Sequence, residues 1–177
     1  MTPISPEQAS FLLQYPLPTI KNEHGVTRSV IESIPLSHTD YRPDPNSKTA
    51  MELAWHIAAA EHRFYNGIIN GVFDFSPIHQ PDNVQTAAQI GNWYGESFAV
   101  NFDKFPHLTG EQLAKPVDFR GLFLLPAVAF FNFSLNHTIH HRGQLSTYLR
   151  AMGGKCPSIY GESYDSAAAK KAAQAQA

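Results

Sequence analysis

The run Asn136-His137-Thr138-Ile139-His140-His141-Arg142-Gly143-Gln144 carries two histidines four residues apart. An α-helix turns about 100° per residue, so His137 and His141 lie about 40° apart on one face, one turn along. Imidazoles in that relation can share one metal ion. Thr138 stands where the helical zinc-protease motif has its glutamate, and that protease class is excluded. A third ligand must come from another helix, and His56 is the best candidate, between Leu53 and Ala60 on an apolar stripe. Three neutral imidazoles leave one or more positions for water or substrate, the pattern of catalytic metal sites. Such a donor set suits zinc or nickel, and also copper, iron and cobalt. An open divalent ion lowers the pKa of bound water or deprotonates a coordinated thiol. The competing arrangement is a set of hydrogen-bonded core histidines, or a pair left in solvent.

The other six of the nine histidines sort by position. His140 lies about 100° from His141 and points elsewhere, which places it behind the ligands or in helix packing. His62 is off the His56 face. His24 falls on a possible inner stripe and is a candidate fourth ligand, while His38, His79 and His107 lie in or beside loops and are solvated. Ligand histidines usually need a partner for the second ring nitrogen. Glu61, Glu96, Tyr94, Arg142 and Tyr148 are candidate partners or pocket residues, with Glu96 the leading carboxylate and a solvated surface position its alternative. Arg142 would pair with an acidic thiol cofactor or cap a neighbouring helix. The single cysteine, Cys156, reads as a small packing residue.

These side chains need helices to hold them. Ser5-Pro6-Glu7 opens a short helix that breaks near Tyr15-Pro16-Leu17-Pro18. A second spans Thr19 to Ile34, and 36–47 is a loop. Thr49 with Glu52 three residues on is a capping box for a helix of roughly 20 residues, striped by Leu53, His56/Ile57, Ala60, Phe64 and Ile68. After a loop at 74–83, a helix runs from Val84 to Phe105 and stops at Pro106. Val117-Asp118-Phe119 is a weak extended segment turned by Arg120-Gly121. The last long helix starts with Pro126 in its first turn and ends at Met152 before Gly153-Gly154, its inner stripe being Ala127, Phe130, Ser134, His137, His141, Leu145 and Tyr148. Four main helices with long connections make an all-α, four-helix bundle. Gly91, Gly95 and Ser134 leave side-chain volume missing near its interior, either for a ligand or for close helix packing.

A chain of 177 residues fits one domain, here 1–165, followed by a low-complexity alanine-rich tail at 166–177 that is a frayed helix or disordered. With 13 Lys plus Arg against 15 Asp plus Glu there is no overall basic field, so no nucleic-acid partner is expected. One cysteine excludes an internal disulfide framework and suits a reducing cytoplasm. The longest apolar run, 122–135, contains Pro126 and Asn132 and falls short of the roughly 20 residues that span a bilayer. Phe119, Phe123, Phe131 and Phe133 lie beyond the main stripes; an exposed patch of them would make a homodimer face.

Met51-Glu52-Leu53-Ala54-Trp55-His56-Ile57-Ala58-Ala59-Ala60-Glu61, followed by 136–145 and then by Tyr148-Leu149-Arg150-Ala151-Met152-Gly153 and Pro157-Ser158-Ile159-Tyr160-Gly161, resembles the DinB/YfiT-like superfamily. Asp40-Tyr41-Arg42-Pro43 adds to the likeness, which covers roughly residues 5–165. The resemblance implies a bundle of up-down-down-up topology and a divalent ion held by His56, His137 and His141. It further implies a frequent dimer and, in some members, transferase or isomerase reactions with a low-molecular-weight thiol such as bacillithiol, mycothiol or glutathione. Three functions follow: a thiol S-transferase acting on a small electrophile, a hydrolase using metal-activated water, or a metal-binding stress or interaction protein without turnover.

Overall fold

The computed structural model describes residues 3–175, and its elements are almost all helical. Helices α1 (Pro6–Leu13) and α2 (Pro16–Glu32) come first, then α3 (Ala50–Asn70) and α4 (Ala87–Phe102). A one-turn α5 (Gly110–Ala114) leads into an antiparallel hairpin, β1 (Pro116–Phe119) and β2 (Phe123–Pro126). Helix α6 (Ala129–Ala151) follows, and α7 (Tyr164–Gln174) ends the described chain.

Capping chemistry sets most of the starts. Thr49 caps α3 through the box with Glu52, as expected, and Thr86 with Gln89 does the same for α4. That box starts α4 three residues later than the apolar stripe suggests, and the helix ends at Phe102, with Pro106 absorbed into a short 3₁₀ turn. Helix α2 begins at Pro16 rather than Thr19, because first-turn amides lack helical partners and proline is tolerated there. Pro126 closes β2 and α6 opens only at Ala129, so the start predicted for the last helix is too early. The tail is helical from Tyr164 and joined to α6 by an Arg150–Asp165 ion pair at 2.6 Å. Gln176 and Ala177 lie outside the described residues.

Four long helices carry the interior: α3 packs on α4 and α6, and α2 packs on the same two. The apolar core divides in two. One cluster, built on Phe64, Phe73, Phe105, Phe130 and Phe131, lies toward α1, α5 and the hairpin. The other, built on Ile31, Ile57, Ile90, Leu145 and Leu149, lies toward the opposite helix ends. Buried polar side chains, among them Glu23, His24, Thr27, Glu61, Thr138 and Arg142, accompany these clusters.

On α6 the buried positions are Phe130, Phe131, Ser134, Thr138, Arg142, Leu145 and Leu149. The inner face is therefore rotated by about one residue from the predicted stripe. His137 and His141 sit half-buried on its flank, where solvent and small molecules have access. The expected aromatic patch is also taken apart: Phe131 is buried, Phe119 and Phe133 pack partly buried against the first cluster, and Phe123 alone of the four is exposed. Gly91 and Gly95 serve close helix packing, since added Cβ atoms would lie 2.6 Å from Glu32 Cγ and 2.7 Å from Arg28 Nη1. They open no ligand space.

Candidate metal centre

Helix α3 presents His56 and helix α6 presents His137 and His141, and their ring nitrogens converge. His56 Nε2 lies 3.2 Å from Nε2 of His137 and 3.2 Å from Nε2 of His141. All three atoms fall within 4.8 Å of one another. With metal–nitrogen distances of about 2.0–2.1 Å, a tetrahedral zinc separates its nitrogen ligands by about 3.3–3.4 Å. Two edges of the triad already have nearly that length.

Protonation points the same way. Burial, then the neighbouring His141, Lys48 and Arg63, lowers the pKa of His56 to about 4. Burial, then the other histidines, lowers His137 to about 3. His141 is lowered too, again chiefly by burial. All three rings are neutral at pH 7. Gln144 Oε1 accepts from His141 Nδ1 at 2.7 Å, which leaves His141 Nε2 without a proton and turned toward the other two rings. One proton on His56 Nε2 can serve only one of two facing nitrogens, so the cluster is short of donors. A divalent cation matches such a donor set.

The sequence candidates around the triad fare differently. Neither His24 nor Glu96 joins it. His24 Nδ1 lies 2.9 Å from Glu61 Oε1, and its ring lies 3.7 Å from that of Phe98 and 4.0 Å from that of Tyr94. Glu96 is exposed on α4. Glu61 is the buried carboxylate instead, accepting from Tyr94 Oη at 2.6 Å and Thr138 Oγ1 at 3.3 Å. Arg142 faces the interior, where it pairs with Glu23 and donates to Tyr160 Oη at 2.7 Å. It neither caps a helix nor faces the triad. Tyr148 packs on Tyr41. His62 turns toward α4, within 2.5 Å of Ser97 Oγ, and His140, His38, His79 and His107 are exposed. The Cys156 thiol is pushed up by burial, which keeps it protonated. The partner of His141, Gln144, was missed; its position at i+3 was the available signal.

A cavity of about 260 Å³ opens beside the triad. His56 and His137 form one side, Phe64, Phe75 and Phe119 the walls, and Arg63 and Arg120 the charged lining. No described helix is long and apolar enough to cross a membrane.

Comparison with known proteins agrees with this architecture. The model of the DinB family matches residues 13–175. The uncharacterized protein YjoA of Bacillus subtilis (strain 168) is 30% identical over 136 residues, covering 75% of this chain and 85% of its own. A crystal structure of that DinB-like protein superposes with a TM-score of 0.67 at 26% identity, covering 86% of this chain and 99% of the other. A DinB-like protein from Bacillus cereus ATCC 10987 gives a TM-score of 0.68 at 24% identity, covering 82% and 95%. By the extent of the family match, the chain belongs to the DinB family.

Proposed function

We propose that this protein holds one divalent ion, zinc or nickel, on His56, His137 and His141, and uses it to transfer a low-molecular-weight thiol to an electrophilic small molecule. The observation that carries the reading is the convergence of three unprotonated-ready Nε2 atoms beside a cavity. When bound, such an ion supplies Lewis acidity that makes a thiol or a water in its open position acidic. The protein does the rest. Burial keeps His56 and His137 neutral and available as donors. Gln144 holds His141 in the tautomer that turns Nε2 inward. Phe64, Phe75 and Phe119 give the adjoining cavity apolar walls. The choice of thiol rests on family likeness, with bacillithiol, mycothiol and glutathione as the candidates. The reading includes an up-down-down-up bundle of α2, α3, α4 and α6, and a cytoplasmic homodimer.

Metal analysis after reconstitution tests the first half, with about one divalent ion per chain expected. The second half is tested by thiol-dependent consumption of a chloro- or epoxy-compound. Turnover without thiol would replace the transferase by a hydrolase. Tight metal binding with no turnover in either assay would leave a non-catalytic metal protein, and no stoichiometric ion would remove the reading.

A further inference from the structure

The cavity beside the triad has a lining whose charge is all of one sign. Arg63 and Arg120 contribute to it, and no aspartate or glutamate does. Lys48 and Arg63 are near enough to depress His56. The two arginines are not equivalent. Arg63 is committed, its Nε donating to Asp74 O at 3.0 Å and its Nη2 to Ser76 O at 2.7 Å, with the Asp74 carboxylate also within electrostatic reach.

Arg120 has no such commitment: among the described residues its guanidinium meets no carboxylate and no hydrogen-bond acceptor. Its Cζ lies over the Phe75 ring, 4.4 Å from the centroid. Stacking of that kind occupies the face of a guanidinium and leaves its edge donors free for a bidentate anion.

The backbone at Arg120 is unusual as well. Arg120 and Gly121 are the central residues of the hairpin turn, closed by Leu122 N–H donating to Phe119 O at 3.0 Å. Their φ values are 58° and 69°, and Arg120 is the one non-glycine residue with positive φ among those described. A turn with positive φ at both centres favours Asn-Gly, and a long side chain at the first centre is strained. Asp118 holds the turn by accepting from Gly121 N–H at 3.0 and 3.1 Å, so the strain is over-determined by local bonding. The conformation sends an arginine, rather than the asparagine the turn prefers, to the rim of the cavity.

The walls are aromatic. Phe64 and Phe119 lie nearly parallel at 5.7 Å between centroids, and Phe75 meets Phe119 edge-on at 5.1 Å. At about 260 Å³ the space is below the roughly 300–1,000 Å³ of pockets for drug-sized ligands, which limits the occupant to about one ring or a short chain.

We propose that this cavity selects a small aromatic or flat apolar carboxylate as the substrate partner of the site, with Arg120 as its anion anchor and Phe64, Phe75 and Phe119 as its walls. The inference rests on the functional reading of the triad for the role of the ligand, but its binding chemistry belongs to residues outside the metal ligands. Arg120 is a specificity residue, and the hairpin is what carries it.

The test is calorimetric titration of the full chain, metal-free and zinc-loaded, with benzoate and benzamide. Benzoate should bind at least about tenfold more tightly than benzamide in both forms, the increment of a charge-assisted bond. In Arg120→Asn that preference should vanish, with benzamide affinity and zinc content unchanged and Tm no lower, since asparagine suits the turn. Equal binding of the two probes, binding of neither, or a preference that survives in Arg120→Asn would overturn the proposal. Survival only in the zinc-loaded form would place the carboxylate on the ion rather than on Arg120, and is equally fatal. Failure of the metal reading shows separately, as absent zinc with an intact Arg120-dependent preference in the metal-free chain.

Discussion

In the interior between α2 and α3, His24 has a carboxylate for Nδ1 and aromatic rings on either side, whereas at the flank of α6 the three triad histidines find mainly one another. Both sets sit on helices and both turn at least partly inward. Around His24 the polar atoms are matched: Glu61 collects His24, Tyr94 and Thr138, and Glu23 collects Arg142 and Tyr160. At the triad, the three Nε2 atoms face one another with too few protons to pair them, and His137 Nδ1, on the other side of its ring, is buried with no partner. Satisfied polar groups of the first kind hold helices in register, whereas facing ring nitrogens without protons to pair them are a donor set for a cation. Position on a helical stripe does not separate the two cases. The inventory of partners does.

The comparison breaks most visibly if the two regions are energetically one. Glu23→Ala leaves the Arg142 charge buried without its carboxylate, and denaturant unfolding should show a loss of about 3–5 kcal/mol. Zinc affinity of the folded variant should stay at the wild-type value. A comparable fall in affinity would mean that the interior pair and the triad act together.

Removing a triad member should act on the other side alone. His137→Ala is expected to weaken zinc binding at least about 100-fold, about 2.7 kcal/mol, in a competition titration with a chelator. His140→Ala, on the same helix but exposed, should stay within about twofold. A smaller effect is expected from Gln144→Ala, about tenfold, because it frees the His141 tautomer without deleting a donor.

A further effect, read on stability rather than on affinity, is the pH dependence of the metal-free chain. His56 and His137 titrate at about 4 and about 3 when folded, and at about 6.5 when unfolded. Between those values the unfolded chain binds more protons, so stability is intact above about pH 6.5 and falls as pH drops toward 4. Urea midpoints at pH 7 and pH 4.5 should separate less in His56→Asn/His137→Asn than in the wild type.

Much of this was legible in the chain. The i, i+4 histidines, the Thr49 capping box on the helix that carries His56, and the extended residues 117–119 all depend on local chemistry, and local chemistry is written in order along the sequence. The phase of α6 was not. Its inner face carries Thr138 and Arg142, whose matching groups, Glu61 and Glu23, lie on α3 and α2. An apolar stripe cannot reveal a polar position whose partner is 77 or 119 residues away. The same limit hid β2, which is a strand only because Pro116 to Phe119 pairs with it; read alone, Pro126 looked like a helix start. His24 and Glu96 needed the packing of α2 against α4 before either could be placed.

The division of the apolar core has a consequence for cooperativity. Helices α3 and α6 run through both clusters, but α1, α5 and the hairpin are anchored in only one. Elements tied to a single cluster form the natural unit of sub-global opening, while the shared helices must wait for global unfolding. Amide exchange should therefore be fastest in Phe119 to Phe123 and slowest in the middle of α3. In such a hierarchy, the segment bearing Arg120 is expected to open locally without disturbing the helices that hold the histidines.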